Sequence, residues 1–429
     1  MSKAQRLKGE NTRAVHLPAP PVPGQAAMGL PVWRTSAFTC TGAQEHADLV
    51  NESQHGYVYS RCDNPTADAF AEGLAALEGV TVPGVRAQAF ASGMAAVSSV
   101  FWTFARAGTH VVASRAVYGG TYDLISDLLA RFGVTADFVD FGDLDQVCDA
   151  IRPSTRILWA ETLSTPTLTV ADLPALANLA HTAGALLAVD STATTPVLCR
   201  PLEYHADLVV HSATKYLGGH GDATGGAVVG RAELIDRVRR VRIATGGMLA
   251  PDEAFLLRRG LATLPLRMRR QCDTAAQFAA ALVRHPTVAR VDYPGLAGHP
   301  GHELARRLFD AGPEGTRFGA VVTVTPVGGR DAGLAFADAL RLAQSATSFG
   351  GTHTTVTHVG TTTHWGQDDE ALLTSGIDPA AVRFSIGLED AEDLIRDATE
   401  ALDVVSRTRP GTVPGAREEL DVRQVGRTS

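Results

Sequence analysis

The stretch DLVVHSATKYLGGHG, residues 207–221, decides how the whole chain is read. It opens as a run of β-formers, passes Ser212 and Thr214, reaches Lys215 and then breaks up into glycines. A buried ammonium is costly unless it is paired or gives up its charge. Lys215 is therefore either a loop lysine of little consequence or an amine wanted in its neutral form.

Reading outward, residues 108–230 alternate short β-rich runs (THVVAS, ADFVDF, RILWAET, ALLAVDST, ADLVVHSAT, GGAVVG) with helical stretches (LISDLLARFG, LPALANLAHTAG) that end at glycine. This βαβ alternation predicts an α/β fold with a mostly parallel sheet covered on both faces. In such sheets ligands sit beyond the carboxyl ends of the strands. The strand ALLAVD ends at Asp190 and the next strand ends near Lys215, so adjacent strands bring a carboxylate and an amine to one rim. Ser212 and Thr214 flank the lysine and face one ligand if that segment stays extended. Upstream, ASGMAAV (residues 91–97) places Ser-Gly at a helix start, where free N–H groups and the dipole favour an anion. Taken singly, these residues read as a capping Asp and a surface Lys. Together, a neutral lysine, a carboxylate for a protonated ring nitrogen and an anion cradle suit pyridoxal 5′-phosphate (PLP), with Lys215 as its Schiff-base lysine.

The chain has 429 residues, 45% hydrophobic and 20% charged, which implies a soluble globular protein of two domains. A net charge of -8 argues against nucleic acid or an anionic membrane as the main partner. Five scattered cysteines without a CxxC pair argue against a disulfide framework or zinc site and fit the cytoplasm. The opening MSKAQRLKGENTRAVH lacks the apolar core of a signal peptide. Residues 87–105, AQAFASGMAAVSSVFWTFA, carry no charge, but their Ala, Ser and Gly content predicts a buried helix and not a membrane span. The proline-rich LPAPPVPG lies in an irregular arm that runs to about residue 55, and DNPTADAFAEGLAALEG reads as a helix capped by Asn64. The expected organisation is an N-terminal arm (1–60), a large cofactor-binding domain (61–260), a C-terminal α/β domain (261–405) and a mobile tail (406–429).

The motifs YSRCDNPT, ASGM, VYGGTY, VDSTATTP, DLVVHSATKYLGGHGD and RFSIGLED resemble those of the Cys/Met-metabolism PLP enzymes, of the aspartate-aminotransferase fold type I, over residues 12–404. The resemblance implies that Lys215 forms the Schiff base and that Asp190 partners the pyridine nitrogen. It implies that Gly93, Met94, Ser212 and Thr214 bind phosphate, and that Tyr59 and Arg61 reach the phosphate of a neighbouring subunit. It further implies that Tyr118 stacks on the ring and assists the leaving group, and that Arg383 and Ser348 bind the substrate carboxylate. The implied assembly is a homotetramer, a dimer of dimers with shared active sites.

Within the family, GHGDATGG is most similar to methionine γ-lyase, which favours α,γ-elimination on a γ-substituted amino acid; γ-replacement, as in cystathionine γ-synthase or homoserine sulfhydrylase, is the alternative. Four departures from the family pattern bear on the substrate. Gly120 stands at a usual cysteine. Thr165 stands where an asparagine bonds the cofactor's phenolic oxygen. Ala193 replaces an aromatic, and His353 replaces a glutamate. Thr165 and His353 are accordingly candidate substrate-site residues, and the expected substrate is methionine-like or a specialised amino acid whose leaving group is not a thiolate. His353, His358 and His364 lack metal-site spacing, so no metal is expected. A PLP-binding scaffold without turnover is the non-enzymatic alternative.

Overall fold

The computed structural model describes residues 9–18, 27–312, 315–374 and 376–407. The tail from 408 and most of the proline-rich segment lie outside the described residues. Seven strands form the larger sheet: β1 (Val85–Phe90), β2 (His110–Ser114), β3 (Thr135–Val139), β4 (Thr155–Glu161), β5 (Leu186–Asp190), β6 (Leu208–Ser212) and β7 (Gly226–Arg231). Their spatial order is β1-β7-β6-β5-β4-β2-β3. The run from β6 to β3 is parallel, and β7 is antiparallel to both its neighbours. The sheet is mostly parallel and covered by helices on both faces, as the βαβ alternation predicts.

The helices preceding or joining these strands are α1 (Glu10–Val15), α2 (Ala43–Val50), α3 (Pro65–Glu78), α4 (Gly93–Phe104), α5 (Gly119–Asp123), α6 (Leu144–Ala150), α7 (Leu173–Thr182) and α8 (Thr195–Leu198). Then follow α9 (Ala232–Thr245) and α10 (Pro251–Leu282). On one face of the sheet Val111, Trp159, Val210 and Val228 pack with Val100 and Phe101 of α4 and Val238 of α9. On the other, Val209 and Val229 pack with Phe70 of α3 and with Leu257 and Leu261 of α10.

The second sheet takes strands β8 (Val288–Asp292), β11 (Val321–Pro326), β12 (Gln344–Ser345), β13 (Thr355–His358) and β14 (Val382–Ser385), in the order β12-β13-β14-β11-β8; β9 (Ala311–Gly312) and β10 (Gly315–Thr316) pair separately. Its helices are α11 (His302–Leu308), α12 (Gly329–Ala339), α13 (Asp369–Thr374) and α14 (Ala391–Arg407). Helix α10 joins the two sheets, since its Met268 and Phe278 share one apolar cluster with Val322, Val324 and Phe384.

Three sequence expectations need correction. Residues 87–105 are not one helix: they divide into β1 and α4, and Ser92 caps the helix by accepting from the Ala95 N–H at 3.1 Å. The apolar run reads as continuous because both halves are buried in the same core. The arm is not wholly irregular, because α1 and α2 interrupt it. Residues 213–217 are not extended: the chain turns after Ser212, with the Lys215 N–H donating to the Ser212 carbonyl at 3.1 Å. No helix among the described residues is long and apolar enough to cross a membrane.

Candidate active site

Two carboxylates end adjacent strands. Glu161 of β4 and Asp190 of β5 are register partners. Asp190 accepts from the Thr192 N–H at 2.9 Å, and Glu161 accepts from the Tyr118 N–H at 2.6 Å. Burial pushes both carboxyls up. At Glu161 the Asp190 charge pushes further in the same direction. At Asp190 the Thr192 hydrogen bonds, His211 and Lys215 all pull back toward the ionised form. Both carboxyls are thus held above the usual carboxylate range, Glu161 with the added push of its neighbour's charge and Asp190 with these pulls opposing the burial.

Lys215 lies in the turn beyond β6. Its Nζ donates to Ser348 Oγ at 2.5 Å and sits 5.1 Å from the centre of the Phe349 ring. Burial first, and then the neighbouring Arg383 charge, lower the amine from its usual value to about 8. Arg383, on β14, is itself buried, and burial lowers its guanidinium too. It donates to the Ser348 carbonyl at 3.3 Å and stacks 5.8 Å from the same Phe349 ring. Its Nε is buried without a hydrogen-bond partner, so one donor of the fork remains to be satisfied. Ser348 has a φ of 81°, a strained value for a residue with a side chain, of the kind found where function fixes the backbone.

Helix α4 begins against Ser212. A Cβ on Gly93 would lie 2.7 Å from Ser212 Cβ, so only glycine allows the helix start and the end of β6 to meet. Thr214 accepts from the Gly225 N–H at 3.0 Å, and Thr192 Oγ1 accepts from the Ser212 N–H at 2.8 Å. Tyr118 is 55% exposed. A Cβ on Gly120 would come within 2.7 Å of the Tyr118 ring and 3.3 Å of Met94 Sδ. The departure at Gly120 thus sets where the tyrosine ring lies.

The structure therefore brings Asp190, Ser212, Thr214, Lys215, Ser348, Arg383, Tyr118, Gly93 and Met94 to the carboxyl end of the large sheet. Thr165 joins them through its N–H, which bonds Glu161. Tyr59 and Arg61 stand apart: Arg61 donates to the Ile243 carbonyl at 2.9 Å and lies 5.6 Å from the Tyr59 ring. His353 is exposed, and its ring meets its neighbour Thr352 Oγ1 at 3.2 Å. His358 has both ring nitrogens occupied, by Thr361 Oγ1 at 2.9 Å and the Pro379 carbonyl at 3.0 Å. Among the described residues no three His, Cys, Asp or Glu side chains gather as metal ligands would.

Two members of this cluster escaped the sequence reading. Phe349 lies against both Lys215 and Arg383; its signal was a lone aromatic inside TSFGG. Glu161 was visible only as the first letter of ETLSTPT, and its pairing with Asp190 depends on strand register. The set fits PLP: a helix start with glycine clearance, two hydroxyl residues, an amine of lowered basicity and a carboxyl group at the end of the neighbouring strand.

Comparison with known proteins agrees. The profile of the Cys/Met metabolism PLP-dependent enzymes matches residues 11–403. The L-methionine gamma-lyase of Fusobacterium nucleatum subsp. polymorphum is 39% identical over 381 residues, covering 88% of this chain and 94% of that protein. The canavanine gamma-lyase of Pseudomonas canavaninivorans is 41% identical over 364 residues, covering 84% and 88%. Among solved structures, the cystathionine gamma synthase of Xanthomonas oryzae pv. oryzae, in complex with aminoacrylate and cysteine, superposes with a TM-score of 0.86 at 35% identity, covering 94% of this chain and 100% of that one.

Proposed function

The chain belongs to the Cys/Met metabolism PLP-dependent enzymes, and from that premise we propose that it is a lyase that eliminates the γ-substituent of an L-amino acid. The observation that carries this reading is the amine of Lys215, lowered to about 8 and set among Ser348, Phe349, Arg383 and the Asp190 carboxylate.

Gly93, Met94, Ser212 and Thr214 would hold the phosphate of PLP, and Asp190 its ring nitrogen. When bound, the cofactor supplies an electron sink that acidifies hydrogens near the amino group of the substrate. Arg383, with its unsatisfied Nε, and Ser348 hold the substrate carboxylate; a guanidinium fork suits that bidentate task. This fixes Cα beside Lys215. Nζ takes the Cα proton and moves protons between Cα and the carbons beyond, which an amine near 8 does better than one at 10.5. Tyr118, half-exposed at the mouth, delivers a proton to the departing γ-substituent. Thr165 and His353 shape the pocket for that substituent.

The likeness to a canavanine gamma-lyase and the small residue at Gly120 support a substrate whose γ-substituent is joined through a heteroatom other than thiol sulfur. γ-Replacement is the second reading, supported by the fold of the cystathionine gamma synthase. The working unit is a cytoplasmic homotetramer in which Tyr59 and Arg61 complete the phosphate site of the adjoining subunit.

The test is a substrate panel on purified holoprotein: methionine, homocysteine, canavanine, and O-acylhomoserines with and without a thiol. Release of the γ-substituent without added thiol supports elimination. Turnover that requires thiol moves the protein to γ-replacement. Cofactor binding with no turnover of any member overturns the enzymatic reading.

A further inference from the structure

Glu78 and His211 form a buried pair that the chemistry above does not use. Glu78 ends α3, and His211 is the fourth residue of β6. His211 Nε2 lies 2.6 Å from Glu78 Oε1, and both side chains are 0% exposed. Glu78 Oε2 and His211 Nδ1 have no hydrogen-bond partner. A buried ion pair adds little to stability over apolar residues of the same volume. Its position accounts for it better.

Asp190 is in register with Val210, and the Ser191 N–H donates to the Val210 carbonyl at 2.9 Å. His211 is the next residue, so its Cα is roughly 6 Å from that of Asp190, given the strand spacing and rise. Val210 packs on the α4 face of the sheet and Val209 on the opposite face. By the strand alternation Asp190 emerges on the α4 face and His211 on the opposite face. His211 is buried, and its charge favours the ionised form of Asp190. Lys215 acts in the same direction on Asp190, and Glu161 lies beside it on β4. Behind Glu78 lies the Cys199 thiol, which burial keeps protonated; Arg200, Glu203 and Asp310 lie beyond it.

We propose that Glu78 and His211 are positioning residues for Asp190: Glu78 fixes the His211 ring on the back of the sheet through their 2.6 Å contact, and the field of that ring favours the Asp190 carboxylate as partner of the cofactor's ring nitrogen. The inference rests on the assignment of Asp190 in the proposed function. A protonated ring nitrogen withdraws electrons and lowers the basicity of the nitrogen shared by Lys215 and the cofactor. Loss of the field from His211 therefore raises the pH midpoint of the cofactor's visible absorbance band.

The experiment reads that midpoint, and the dissociation constant of PLP, for the wild type and for Glu78→Gln, His211→Asn and the double variant. Glu78→Gln is isosteric and keeps the packing if His211→Asn misfolds. The expected result is an upward shift of about 1 pH unit and ~10-fold weaker PLP binding in each single variant. The double variant shifts no further, because the two residues act as one unit. A lowered melting temperature with an unmoved midpoint would show a purely structural pair and overturn the inference. A wild-type protein that forms no visible band with PLP would overturn the assignment of Lys215 and Asp190 instead.

Discussion

Lys215 is held where its ammonium is disfavoured. Its folded value of about 8 lies below the ordinary 10.5, so between these values the unfolded chain binds more protons than the folded one. The cofactor-free protein accordingly gains stability as pH rises through that window, measurable as melting temperature against pH. Capture of PLP needs the neutral amine, so its rate rises with pH and levels off above about 8. Arg383→Leu removes a charge that lowers Lys215 and thus moves this rise to higher pH; it also raises KM for the amino acid by ~10²-fold through loss of charged hydrogen bonds. Lys215→Ala loses the visible cofactor band and on the order of 10³-fold or more in turnover. A Gly120→Cys variant meets the Tyr118 ring at 2.7 Å. It should leave PLP content unchanged while altering the ratio of sulfur-linked to oxygen-linked substrates turned over several-fold, read by competition between the two. If the ratio stays constant, the tyrosine does not contact the γ-substituent. Chemical identity was legible at this scale: lysine, aspartate, tyrosine and arginine stand in quoted motifs. Pairing was not, because the contacts of Glu161 with Asp190 and of Phe349 with two cations depend on register and on a fold of the chain from 215 to 348.

Helix α10 and the start of α4 show how elements set the site. Arg267 of α10 donates to the Tyr216 carbonyl at 2.8 Å and the Gly260 carbonyl at 2.7 Å, tying the turn after Lys215 to the helix. Burial lowers this guanidinium to about 10, yet it stays charged at neutral pH. Arg267→Met takes the donor from the Tyr216 carbonyl and one of those on the Gly260 carbonyl, and should cost ~2–4 kcal/mol, checked by urea denaturation. A Gly93→Ala variant forces α4 away from Ser212 and should weaken PLP binding by ~10–100-fold with a smaller loss of stability, measured by titration of the cofactor-free protein. The alternation of strands and helices was readable from periodicity, and so was the parallel sheet. The division of residues 87–105 into strand and helix was obscured, since both halves are apolar and periodicity does not separate short buried segments. The turn at 213–217 was missed for a related reason: Ser-Ala-Thr does not mark a bend, which is imposed by Gly218 and by α10 packed behind it.

At the scale of the molecule, the two sheets meet around one site. Thr323 Oγ1 of β11 donates to the Pro166 carbonyl at 2.7 Å, and Arg200 reaches Asp310 at 2.9 Å, so the two halves of the chain are tied together at two separate points. Tyr59 and Arg61 lie outside this cluster, and their proposed role is in an adjoining subunit. Co-expression of Lys215→Ala chains with Arg61→Ala chains tests that role: shared sites restore roughly a quarter of wild-type activity in mixed oligomers, and unshared sites restore none. The segment that bears Ser348 adds a different point. Its backbone is pinned at Gly350, Gly351, Thr352 and Thr354 by Ser385, Gln271, Leu388 and Glu389, through contacts of 2.6–2.9 Å. The His353 side chain is exposed and meets its sequence neighbour Thr352. A loop anchored through its main chain accepts new side chains at little cost to folding. Such a loop is a replaceable part, one at which an inherited single-residue change can redirect an existing catalyst to another amino acid while its machinery is passed on unaltered.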